Sequence, residues 1–132
     1  GGGCTVLDPA GPVAGTVRID GNSLPNAPKW IANVTAGYSW EFGEGQIFVF
    51  TDWAYRSKIN FFLYRSAEFS DDKLLQGVLR FGYRAPGEAW EVAAFGRNIL
   101  SDRSLEGGID FNNLTGFVND PRTLGLEVKA KF

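Results

Sequence analysis

The chain has 132 residues, 44% hydrophobic and 21% charged, with 17 Gly and 6 Pro, which is enough for one domain or a portion of a larger one and excludes a disordered tail or a collagen-like repeat. With no His and one Cys it cannot build a His-based nucleophile triad, a His/Cys zinc site or an internal disulfide framework, so an enzyme is not expected and no cofactor is indicated. The net charge is −2 and no run of Lys or Arg forms an electrostatic footprint, so nucleic acid is not an expected partner.

The start, Gly1-Gly2-Gly3-Cys4, has neither the basic nor the apolar segment of a signal peptide and reads as an interior cut, with Cys4 in a loop. No uninterrupted apolar stretch exceeds four residues, as at Ile47 to Phe50 and Val92 to Phe95, against the ~20 of a membrane-spanning helix. Residues 1–28 read as a loop leading into the first strand. Within it Pro25 and Pro28 hold Leu24 and Ala27 extended and delay pairing until Lys29.

Helical periodicity is not evident; strand chemistry is. From 30 to 42 every second residue is apolar (Trp30, Ala32, Val34, Ala36, Tyr38, Trp40, Phe42), and the intervening set is polar except for Ile31, a period of two with one apolar face. Gly43-Glu44-Gly45 is a tight turn and not a phosphate loop, because no Lys-Ser/Thr and helix follow it. A second strand sets Ile47, Val49, Thr51, Trp53 and Tyr55 against Phe48, Phe50, Asp52, Ala54 and Arg56.

Residues 59–73 are expected to form a long polar loop, in which Asp71-Asp72 has no rigid partner carboxylate for glycosidase chemistry. The third strand alternates Leu75, Gly77, Leu79, Phe81 and Tyr83 with a set whose polar phase Arg80 and Arg84 fix, and Ala85-Pro86-Gly87-Glu88 is a second tight turn. The fourth strand sets Trp90, Val92, Ala94 and Gly96 against Glu91, Ala93, Phe95 and Arg97. Residues 100–121 form a second long loop. The fifth strand, introduced by Pro121, alternates Leu124, Leu126, Val128, Ala130 and Phe132 with Thr123, Gly125, Glu127, Lys129 and Lys131.

The expected fold is therefore all-β, an antiparallel meander of about five long strands, with residues 29–132 forming it. In a meander the two tight turns fall on one edge of the sheet and the two long loops on the other. A soluble sheet also alternates, but three features favour a lipid-facing wall. The strands read as 11 to 13 residues long, suited to crossing a bilayer at a tilt. Short turns opposite long loops are the asymmetry of outer-membrane barrels. Aromatics of the apolar set gather toward both edges, as Tyr38, Trp40, Phe42, Tyr83, Trp90 and Phe132 at one and Trp30, Trp53 and Tyr55 at the other, where amphipathic rings favour the two headgroup levels. Single-chain membrane barrels start at about 8 strands, so the reading is the last sector of a larger barrel.

Five segments, in order, resemble the C-terminal end of a TonB-dependent receptor, the outer-membrane family that imports ferric siderophores, cobalamin and other scarce nutrients. They are Leu24-Pro25-Asn26-Ala27-Pro28-Lys29-Trp30, Asp52-Trp53-Ala54-Tyr55-Arg56-Ser57, Leu79-Arg80-Phe81-Gly82-Tyr83-Arg84, Trp90-Glu91-Val92 with Gly96-Arg97-Asn98-Ile99, and Pro121-Arg122-Thr123-Leu124-Gly125. The chain departs from the family at Ser101 and Ser104, and at Ala130, where an aromatic often stands two residues before the end. The resemblance implies a barrel wall in the outer membrane of a Gram-negative bacterium, with lipid, a plug domain and, through the plug-bearing part, TonB as partners, and Phe132 as the signal read by the barrel-assembly machinery. It also implies a small-molecule ligand such as a metal chelate, with Tyr64, Arg65, Arg103, Phe111 and Phe117 as candidate loop contacts.

With the apolar set toward lipid, Asp52, Arg56, Arg80, Glu91, Arg97, Glu127 and Lys129 face the lumen, and their mixed signs predict mutual pairing. The loop oxygens of Asp71, Asp72, Asp102, Asp110, Asn112 and Asn113 are the types that bind a hard cation, but a solvated polar loop is the simpler expectation, and no metal site is assigned. A soluble β-sheet binding module and a passive porin-like channel are the competing readings.

Overall fold

The structure is a computed structural model that describes residues 7–110 and 114–131; Cys4, Phe111, Asn112, Asn113 and Phe132 lie outside them. The main sheet takes strands β1 (Ile31–Phe42), β2 (Gly45–Arg56), β5 (Leu74–Arg84), β6 (Trp90–Arg97) and β9 (Thr123–Ala130), while β3 (Ile59–Asn60), β4 (Ser70–Asp71), β7 (Leu105–Asp110) and β8 (Leu114–Val118) belong to the connections. The sheet order β1-β2-β5-β6-β9 is an antiparallel meander, as the alternation predicts, and it is not closed: β1 and β9 are its edges.

Both tight turns form where glycine permits a left-handed residue, with Gly43 at φ 63° and Gly87 at φ 62°. Ala85 N–H donates to Trp90 O at 2.9 Å and closes the second turn. The register carries the period-two pattern across strands. Leu79, Phe81 and Tyr83 stand opposite Gly96, Ala94 and Val92, which in turn stand opposite Leu124, Leu126 and Val128. The apolar set is thus one continuous face over β5, β6 and β9.

Two expectations are corrected. β1, β2 and β5 run 12, 12 and 11 residues, but β6 and β9 have 8 each, so 11 to 13 does not hold for the last two. At one end of β6 the backbone leaves the ladder at Asn98, which adopts φ 46°; beyond Ala130, Lys131 N–H donates to Ala89 O at 2.9 Å. The long loops, moreover, are not unstructured: each contains an antiparallel pair, β3 with β4 and β7 with β8.

The chain divides into two compact units. The sheet unit comprises the described residues of Ala32–Tyr55, Leu75–Asp102 and Asp120–Phe132, and the connection unit those of Gly1–Ile31, Arg56–Leu74 and Arg103–Asn119. The connection unit has its own small core of Ile59, Phe61 and Phe69, with Phe62 and Leu105 packed against it. Phe62 meets Phe69 edge to face at 4.7 Å and stacks on Tyr64 at 5.2 Å. Gly108 of β7 lies close under Phe69, where a Cβ would come within 2.5 Å of the ring.

Candidate functional site

The sheet unit has its polarity reversed relative to a soluble sheet. On the apolar face Leu124, Leu126 and Val128 are 72%, 81% and 72% exposed, and Tyr38, Phe42, Phe81 and Trp90 are exposed with them. On the opposite face Phe48 and Ala93 are buried, at 6% and 1%. The packed side of this sheet is its charged side.

That side is built from the polar phase of β5, β6 and β9, and the register explains its pairing: Arg84 stands opposite Glu91, and Glu91 opposite Lys129. Arg80 donates to Glu91 and, at 3.2 Å, to Glu127; Arg84 Nε donates to Glu91 at 3.0 Å, and Lys129 pairs with Glu127 at 3.0 Å. Beneath them lies Phe48 of β2, with the Arg80 and Arg84 guanidiniums 4.9 Å and 5.3 Å from its ring centre, close enough for cation–π attraction. Asp52, on the same phase of β2, accepts from the Thr35 hydroxyl at 2.6 Å. Arg97 lies over Phe95 at 5.6 Å. Arg80, Glu91 and Glu127 therefore form one network, while Asp52 and Arg97 are held separately.

Arg56, the last residue of β2, is engaged in the connection unit. Its Nη2 donates to Asp71 at 2.7 Å, Ser104 Oγ at 2.8 Å and Leu105 O at 3.2 Å. Of the candidate ligand contacts, Tyr64 donates its hydroxyl to Asp110, and Arg65 donates Nε to Asn22 at 2.8 Å and its backbone N–H to Asp8 at 2.8 Å. Arg65 also lines a cleft of about 530 Å³ with Lys58, Asn60, Ser66 and Ser70. Arg103 and Phe117 are exposed and do not line that cleft. Beside it the Ser66 hydroxyl donates to Glu68 at 2.6 Å and, with Glu68's own backbone N–H, holds that carboxyl below the usual range.

Of the loop carboxylates whose oxygens are of hard-cation type, Asp72 is 91% exposed, 3.8 Å from Lys58, and the other three described ones are engaged elsewhere. Asp71 pairs with Arg56, Asp110 accepts from Tyr64, and Asp102 accepts from Leu75 N–H at 2.9 Å. Among the described residues no three Asp, Glu, His or Cys gather as a metal site.

Sequence reading missed Phe48, Ser104, Asn98 and Asn119. Phe48 stood in a mixed run whose phase rested on charges. Ser104 and Asn119 gain their roles from contacts remote in sequence: Asn119 Oδ1 accepts from Ser104 N–H at 2.8 Å and Asn119 N–H donates to Ser104 O at 3.1 Å. Only Asn98 carried a local signal, as a residue that tolerates positive φ after Gly96-Arg97. Compared with known proteins, the chain matches no family model, no curated protein and no solved structure.

Proposed function

We propose that this chain is part of the wall of an outer-membrane β-barrel, and that the barrel is a nutrient-import receptor of the TonB-dependent kind. The observation that carries the first step is the reversed polarity of the sheet, apolar where exposed and charged where packed. In water such a face is unfavourable by roughly 25 cal/mol per Å² of apolar surface, and soluble monomers rarely expose contiguous patches beyond a few hundred Å². Against hydrocarbon the cost disappears, while the opposite face keeps its charges out of lipid, with Glu91 and Glu127 paired to Arg80, Arg84 and Lys129.

The open edges support a wall that continues into further strands, because unpaired backbone groups in lipid cost several kcal/mol each. Lumenal carboxylates and guanidiniums that bond one another form a hydrated, near-neutral lining that binds a passing solute weakly. Import against a gradient then requires the plug and energy-coupling segment that the resemblance implies for the rest of the polypeptide. The receptor step rests on the five ordered segments of the sequence and supplies the substrate class, a scarce metal chelate or cofactor.

The test is fractionation of cell envelopes, with mass spectrometry of the peptide that follows Pro121. The expected result is an outer-membrane polypeptide several times larger than 14.5 kDa, whose deletion abolishes growth on a ferric chelate as sole iron source. A soluble 14.5 kDa product overturns the wall and makes the apolar stripe the inside of a soluble binding module. An outer-membrane product without a plug domain, passing solutes down a gradient, overturns the receptor in favour of a porin-like channel.

A further inference from the structure

We propose that Arg56 is a strap that couples the connection 57–73 to the described parts of the connection 103–119, so that they lose protection as one cooperative unit. The two segments are separated in sequence by β5 and β6, yet one guanidinium holds both: Asp71 at 2.7 Å from the first, Ser104 Oγ at 2.8 Å and Leu105 O at 3.2 Å from the second. Ser104 donates its hydroxyl to the same Asp71 carboxylate, closing a three-membered ring of contacts. Ser104 is in turn fixed to Asn119 by one backbone-to-side-chain bond and one backbone bond, so the strap reaches both strands at the open base of the β7–β8 pair. The Arg56 and Asp71 side chains are only 16% and 19% exposed, which makes this pair far less screened than a surface pair.

Neighbouring contacts run in the same direction, Phe69 on Gly108, Leu105 on the Ile59–Phe61–Phe69 cluster and Tyr64 to Asp110, where the second is apolar. None carries a charge on both partners. The strap is therefore the contact whose loss leaves a part-buried cation short of an anion, and the response spreads to every segment it holds. Its balance is fine, because Arg56 Nε is buried and has no acceptor among the described residues. All three bonds fall on Nη2, and the bidentate fork that makes Arg–carboxylate pairs strongest is not used. Such a clamp holds at rest and gives way as a unit. The inference stands on the contacts alone and does not depend on the membrane reading.

Hydrogen exchange of the whole chain tests it, comparing wild type with Asp71→Asn and Ser104→Ala. Both variants are expected to raise exchange roughly tenfold in 59–71 and in 105–110 with 114–118, leaving the β5–β6–β9 amides unchanged. Lys58→Gln, which removes the exposed 3.8 Å contact to Asp72, is expected to change neither. Ser104→Ala keeps its backbone bonds to Asn119, so it remains informative where Asp71→Asn unfolds the unit. Faster exchange confined to one connection, or no change in Ser104→Ala, overturns the proposal.

Discussion

Asn98 ends β6 through its side chain. It sits at φ 46° and is 6% exposed, with Nδ2 donating to Asp102 O at 2.9 Å and Asp120 O at 3.0 Å while Oδ1 accepts from Asp102 N–H at 3.0 Å. These bonds fix where the strand stops and where the chain returns toward β9. Two costs meet at this residue, the left-handed backbone and the buried polar groups. Replacing Asn98 by Ala incurs both, for an expected loss of about 2–4 kcal/mol in a urea titration. Asn98→Gly incurs only the second, because glycine adopts positive φ freely. The glycine variant is therefore expected to be the more stable of the two, although its side chain is smaller; the reverse order would show that hydrogen bonding and backbone conformation are not both at stake.

Among the elements, the long strands were legible because a period of two speaks for itself once it runs through five or more alternations, as in β1 and β5. Their register also follows, since a slip by one residue would put Arg80 and Glu91 on the apolar face. The connections were not legible for the opposite reason. β3 and β4 are two residues each, too short for any period, and the contacts that order them join residues such as Arg56 and Ser104 that are remote in sequence. Of the site, the mixed-sign charged face was legible from phase alone, but its partners required the register, and Phe48 beneath Arg80 required the packing. At this scale Glu91 is the staple between β5, β6 and β9, meeting Arg80, Arg84 and Lys129. Glu91→Gln is expected to destabilise the sheet by about 1–3 kcal/mol, between the costs of breaking an exposed and a fully buried pair. The check is denaturation at low and high salt. A loss that vanishes in 1 M salt would show that the pair behaves as a screened surface contact.

For the whole molecule the question is which solvent faces Leu126. It stands mid-strand in β9, opposite Ala94 and 81% exposed, so the two environments give opposite expectations for one substitution. Facing water, Leu126→Arg touches nothing and changes stability by no more than about 0.5 kcal/mol. Facing lipid near the bilayer centre, the same change costs about 2–4 kcal/mol, falling toward 0–1 near the interface. Depth then supplies a second axis, since Leu124 and Val128 lie to either side along the same face. Arginine placed in turn at 124, 126 and 128 should cost most at 126 when the protein is unfolded from lipid vesicles and followed by tryptophan fluorescence. A flat, near-zero profile would mean that the face is bathed in water, and would overturn the lipid-facing wall. A peaked profile identifies hydrocarbon as its solvent, because a protein partner has no reason to impose a gradient symmetric about the middle of the strand.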